Sequence, residues 1–104
     1  MRRGEVWWAD LAQPAGRCPV LLLSRNSAYA VRSLITIAPI TRTVRDIPVE
    51  VPLGAADGLP RPCVVNCDSI ATIPKALLTE RITVLGPAKL AAVNAAIRFA
   101  LSIP

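Results

Sequence analysis

A chain of 104 residues with 53% hydrophobic and 18% charged side chains is globular rather than disordered, and has room for one modest core. Twelve Lys and Arg against seven Asp and Glu give a net charge of +5, and ten of the twelve cations are Arg, a bias toward phosphate-bearing partners. The chain has no His, which excludes Ser-His-Asp and Cys-His nucleophilic sites and RNA cleavage by a His pair.

Met1-Arg2-Arg3-Gly4 is followed by no apolar segment, so no signal peptide is expected. Nowhere do about 18 apolar residues run together, so no membrane span is expected and the cytoplasm is the expected compartment. Residues 5–11 read as a first strand in which Trp7 and Trp8, being adjacent, face opposite sides. One belongs in the core; the other can stack on a base or fill an interface. Pro14-Ala15-Gly16 forms a loop, and residues 19–23 form a second strand, apolar at nearly every position and buried on both faces. Residues 24–30 are a loop whose Tyr29 is another stacking candidate.

Residues 34–40 form a third strand that stops abruptly at Thr41-Arg42-Thr43-Val44-Arg45. A strand end is held by the scaffold yet reaches water. Hydroxyls and guanidiniums there suit phosphate and the phosphorane formed when phosphate is attacked. Residues 49–53 alternate as a fourth strand, with Pro52 marking a sheet edge. A turn follows at Asp57-Gly58. Residues 62–66 and 69–72 make a fifth strand broken near Asp68. Pro74–Leu78 reads as a short helix opening on Pro, and residues 81–85 as the last strand. Cys63 and Cys67 lie in apolar sequence and read as core residues. Three cysteines without His do not complete a zinc site, so neither metal nor cofactor is expected.

From Pro87 the period becomes helical, with Leu90, Val93, Ile97 and Leu101 on one stripe and few charges elsewhere. Such a helix packs on the sheet and presents a second apolar face, as to a dimer mate. Short strands followed by one helix imply a mainly β, barrel-like domain spanning residues 1–104.

The order of segments resembles the MazF/PemK-type toxins. Arg3-Gly4-Glu5-Val6-Trp7-Trp8-Ala9-Asp10-Leu11 resembles their opening strand, and Cys18-Pro19-Val20-Leu21-Leu22-Leu23-Ser24-Arg25-Asn26 their second. Ala38-Pro39-Ile40-Thr41, Val64-Val65-Asn66-Cys67-Asp68, Ile70-Ala71-Thr72-Ile73 and Arg81-Ile82-Thr83-Val84-Leu85 follow in family order, closest to actinobacterial members. The resemblance implies an SH3-like small barrel with a C-terminal helix and a homodimer. It also implies a MazE-like antitoxin lying over the active surface. The implied activity is metal-independent cleavage of single-stranded RNA at short sequences, leaving a 2′,3′-cyclic phosphate and a 5′-hydroxyl. The competing expectations are an inactive homologue that only binds antitoxin, or a gyrase poison like the CcdB group. Against the latter, the chain lacks a terminal aromatic, ending Ser102-Ile103-Pro104.

The resemblance implies roles for particular residues. The family Thr that ends the third strand falls on Thr41. The family Arg directly before the second-strand Pro falls on Cys18, with Arg17 one residue earlier. One residue of slip in a strand reverses the face, so Arg17 is a stand-in only if it still reaches the site; Arg25, Arg42 or Arg45 is the alternative. Asn66 and Asp68 fall on two further family positions, Asn66 to contact RNA and Asp68 to accept the 2′-OH proton or cap a turn. Arg42, Thr43 and Arg45 are expected to touch the RNA backbone, and Glu5 to orient a nearby Arg.

Overall fold

β-branched and aromatic residues recur in short runs through the first 85 positions and favour pleated, half-buried backbone there. The computed structural model describes residues 1–104, with seven strands in antiparallel pairings. These are β1 (Glu5–Asp10), β2 (Arg17–Leu22), β3 (Leu34–Thr41), β4 (Glu50–Leu53), β5 (Cys63–Asn66), β6 (Ala71–Pro74) and β7 (Leu78–Val84). A one-turn helix α1 (Ala28–Val31) precedes β3, and a longer helix α2 (Pro87–Leu101) ends the chain. Strand order is β4-β5-β3-β2-β1-β7, with β6 also on β3. This is the mainly β architecture with a terminal helix that the sequence implied.

β5 pairs with the end of β3 (Thr41↔Val64) and β6 with its start (Leu34↔Pro74). The break expected near Asp68 is real: it turns one apolar run into two strands serving opposite ends of the same partner. Pro52 lies in edge strand β4, where a missing donor costs least. β2 begins two residues before Pro19 and ends at Leu22, so the expected bounds of 19–23 are corrected, and Arg17 is a strand residue. The expected helix at 74–78 is a 3-10 turn at Lys75–Leu77.

Alternation along the strands feeds two apolar clusters. The larger joins Val6, Leu21, Ala38, Ile40, Val51, Leu53 and Val65 to Val93 and Ala96 of α2. The smaller joins Ala9, Val20, Leu22, Ile35, Ile37 and Tyr29. Val20, Leu21 and Leu22 have no exposed surface, which confirms β2 as buried on both faces. Each such side chain contributes about 1.5–3 kcal/mol by leaving water. Cys63 and Cys67 are buried core residues. Tyr29 is a correction: it belongs to the smaller cluster, and its hydroxyl donates to Ser24 O at 3.1 Å, so it is no stacking platform. Leu101 is another: it is exposed, and the core stripe of α2 runs through Leu90, Val93, Ala96, Ile97 and Ala100.

Gly58 folds the β4–β5 connection against β7. Its φ is +88°, and an added Cβ would lie 2.5 Å from Thr83 Oγ1. This close approach sends Leu59 into the core and leaves Pro60 and Arg61 exposed. Gly58→Ala is expected to destabilise the protein by about 1–3 kcal/mol, read as a lower urea midpoint, by combining steric overlap with left-handed strain.

Candidate active site

The end of β3, the start of β2 and the β4–β5 connection meet around a cleft of about 470 Å³. Thr41 and Arg42 come from β3 and its exit, Arg17, Cys18 and Pro19 from β2, and Trp8 from β1. Leu59, Pro60, Arg61 and Cys63 close one side, with Ile82 beneath.

Register explains how residues of opposite faces meet here. Leu21 pairs with Ala38 and Val20 with Pro39. Continued two residues further, that ladder sets Cys18 across from Thr41. Trp8 pairs with Pro19, so Trp8, Pro19 and Arg17 share the other face. Arg17 therefore leaves its strand on the side away from Thr41, yet both line the cleft because it opens over the strand ends. The Arg17 guanidinium carbon lies 4.6 Å from the centre of the Trp8 ring, a cation–π stack. Its other neighbour is Glu80, at 3.7 Å, in a pair with both side chains largely in water and worth little. Arg42 and Arg61 enter no ion pair.

Thr43 N–H donates to Thr41 Oγ1 at 3.1 Å. This occupies one lone pair of the hydroxyl and leaves its own proton free to donate outward. The thiol of Cys18 is pushed up by burial and stays protonated at neutral pH, so it neither repels phosphate nor acts as a nucleophile. Burial pushes Cys67 up to about 11, with Asp68 adding to the effect.

Other sequence-derived candidates lie outside the cleft. Asn66 organises a turn: its Oδ1 accepts from Asp68 N–H at 3.0 Å and its Nδ2 donates to Ser69 Oγ at 3.2 Å. Asp68 is exposed in that turn, away from the cleft lining. Arg25 follows the far end of β2, opposite the end bearing Arg17. Thr43 and Arg45 are exposed on the loop leaving β3, beside the cleft rather than in its wall. Trp8 is the cleft tryptophan; Trp7 packs on the smaller core. The sequence reading missed Arg61. Its one signal was an Arg between two prolines at a tight turn.

Glu5 is buried and lies outside the cleft lining, with the Arg81 guanidinium 3.6 Å from its carboxylate and the Trp7 indole N–H donating to it at 2.9 Å. Burial pushes its pKa up. The Trp7 N–H, a backbone bond at Arg2, and the charges of the N-terminus and Arg81 outweigh that and hold it below the ordinary carboxylate value. A lowered pKa means the unfolded chain takes up the proton first. Stability from Glu5 is therefore full above its unfolded pKa and is lost as pH falls through the folded one. Glu5→Gln is expected to flatten the fall in urea midpoint between neutral pH and about pH 3.

A model of the family described as PemK-like, MazF-like toxin of type II toxin-antitoxin system matches residues 2–101. Probable endoribonuclease MazF2 of Mycobacterium tuberculosis is 42% identical over 91 residues, covering 86% of this chain and 87% of the relative. Among solved structures, Mycobacterium tuberculosis toxin MazF-mt6 superimposes with a TM-score of 0.89 at 36% identity, over 96% of this chain and 98% of that one. An endoribonuclease in complex with its cognate antitoxin, from a mycobacterial species, gives a TM-score of 0.89 at 32% identity, over 100% and 97% of the two chains.

Proposed function

The chain belongs to the PemK-like, MazF-like family of toxins of type II toxin–antitoxin systems, and from that premise we propose that it is a sequence-specific endoribonuclease acting on single-stranded RNA. The observation that carries this reading is the convergence of the Thr41 hydroxyl with Arg17, Arg42 and Arg61 on one cleft. In RNA cleavage by internal transesterification the 2′-oxygen attacks phosphorus and the bond to the 5′-oxygen breaks. The products are a 2′,3′-cyclic phosphate and a 5′-hydroxyl. Negative charge grows on the non-bridging oxygens of the phosphorane, and donors fixed in place beforehand stabilise it. Thr41 donates its free O–H to one of those oxygens. Arg17, its plane set by Trp8, supplies the cation that the family carries one residue later, and Arg42 and Arg61 hold the flanking phosphates.

Asp68 lies outside the cleft, so this reading gives it no part in removing the 2′-OH proton; that proton passes to water, and water supplies the one taken up by the departing 5′-oxygen. Asn66, Arg25 and Arg45 lie outside the cleft lining, so their contacts with RNA fall beyond the scissile phosphate. The protein works in the cytoplasm as a homodimer, restrained by a MazE-like antitoxin that covers the cleft. Exposed Phe99, Leu101, Ile103 and Val84 on and beside α2 support an apolar pairing surface.

The test is incubation of purified protein with a long single-stranded RNA in EDTA, mapping the 5′ ends of the fragments. Discrete cuts ending in 5′-hydroxyls are expected. Intact RNA, with the protein folded, overturns the reading and favours a homologue inactivated by Cys18.

A further inference from the structure

Arg42 to Pro48 is exposed at every position, including apolar Val44 and Ile47. Such a segment would wander if nothing held it. Beyond the Thr43 N–H bond to Thr41 Oγ1, its restraints converge on one residue, Glu50. The consecutive amides of Arg45 and Asp46 both donate to Glu50 Oε1, at 2.8 and 3.0 Å. Glu50's own N–H donates back to Ile47 O at 2.9 Å, closing the loop on the first residue of β4. Two successive N–H groups aimed at one anion form the nest that a carboxylate fills best. Asp46 sits at φ +57°, a left-handed conformation that a non-glycine residue keeps only when its surroundings hold it there.

Glu50 is 8% exposed, and its Oε2 is buried without a hydrogen-bond partner. Burying a carboxylate with half its acceptors unused is costly, and no ion pair offsets it. The bonds it does make all go to the loop that carries Arg42, Thr43 and Arg45. Across the sheet, Glu50 pairs with Asn66 of β5, the strand whose Val64 pairs with Thr41. The anchor and the candidate hydroxyl are thus fixed to one strand.

We propose that Glu50 is a positioning residue: it locks the 42–48 loop in one conformation, aims Arg42 and Arg45 at the RNA, and so helps decide which sequence is cut. This rests on the ribonuclease reading above. Flexible guanidiniums would grip any phosphate backbone, whereas a fixed loop admits only strands whose bases and phosphates fit it.

The test reads amide exchange at Arg45 and Asp46 beside cleavage of one long RNA, for the full-length parent, Glu50→Ala, Glu50→Gln and Asp46→Pro. In Glu50→Ala the two amides are expected to exchange about tenfold faster, KM to rise about tenfold with a smaller change in kcat, and cuts to appear at sequences the parent spares. Glu50→Gln keeps an acceptor oxygen and is expected to retain the parental cut map. Asp46→Pro removes one donor and forbids φ +57° at an exposed position, so it should reproduce the Ala phenotype even if Glu50→Ala fails to fold. Unchanged exchange in the variants overturns the anchor. Faster exchange with an unchanged KM and cut map overturns the specificity role and leaves Glu50 a scaffold residue. If the parent cuts no RNA, the ribonuclease reading fails and takes the specificity role with it, while amide exchange still decides the anchor.

Discussion

Thr41→Ala is expected to lower the single-turnover rate of RNA cleavage by about 10²–10³-fold, the usual cost of losing one donor aimed at a developing oxyanion. The hydroxyl is half-buried at the last residue of β3, so its position is set by the ladder to β5 rather than by a mobile loop. Its one intramolecular bond is received, from Thr43 N–H, which leaves the proton for substrate. The fold should survive: Thr41 belongs to neither apolar cluster, and the Thr43 amide it releases is exposed to water. Thr41→Ser keeps the oxygen and should recover most of the rate. Near-ultraviolet circular dichroism and the urea midpoint check that the Ala variant is native. A native Thr41→Ala protein cutting at the parental rate would remove Thr41 from the site.

Arg17→Ala is expected to cost at least about tenfold in kcat/KM, while Cys18→Ser stays within about twofold of the parent. These neighbours separate two physical accounts. If side-chain face alone mattered, position 18 would be critical, since the continued register sets it across from Thr41. Its side chain, however, is a neutral thiol with no charge to offer a phosphorane. Arg17 has the charge, the length, and a fixed aromatic plane beneath it. Arg17→Lys should fall between, because an ammonium keeps the charge but loses both the stack and the paired donors. Equal loss in the position-17 and position-18 variants, or loss in neither, would contradict the stand-in role.

Much of the scaffold was legible. The unbroken apolar run of β2, the alternation of β4 and the change of period at Pro87 are local patterns that map directly onto strand and helix. Thr41 was legible for the same reason: an apolar strand that ends in hydroxyl and guanidinium marks its own exit into water. The places of Asn66, Asp68 and Arg25 were not. Motif order put them near Thr41, but the turn after β5 and the far end of β2 carry them off the cleft lining. The place of Tyr29 was not legible either, because residues 28–31 form the one-turn helix α1, which turns its ring inward beside Ile35 and Ile37. Arg61 went unnoticed because its approach depends on Gly58 folding the connection against Thr83, a contact between residues 25 positions apart.

By itself the sequence determined the element types, the buried strands, the strand-end hydroxyl and the excess of guanidinium over carboxylate, because each depends on neighbours within a few residues. Only the tertiary structure decided that Arg17 and Thr41 share a cleft although they leave their strands on opposite faces, that Arg61 joins them, and that Glu50 holds the loop beside them. Those relations depend on which strands pair and in what register. Pairing is a non-local choice, made when the two faces of the sheet bury their apolar side chains together, and no stretch of the chain carries it alone.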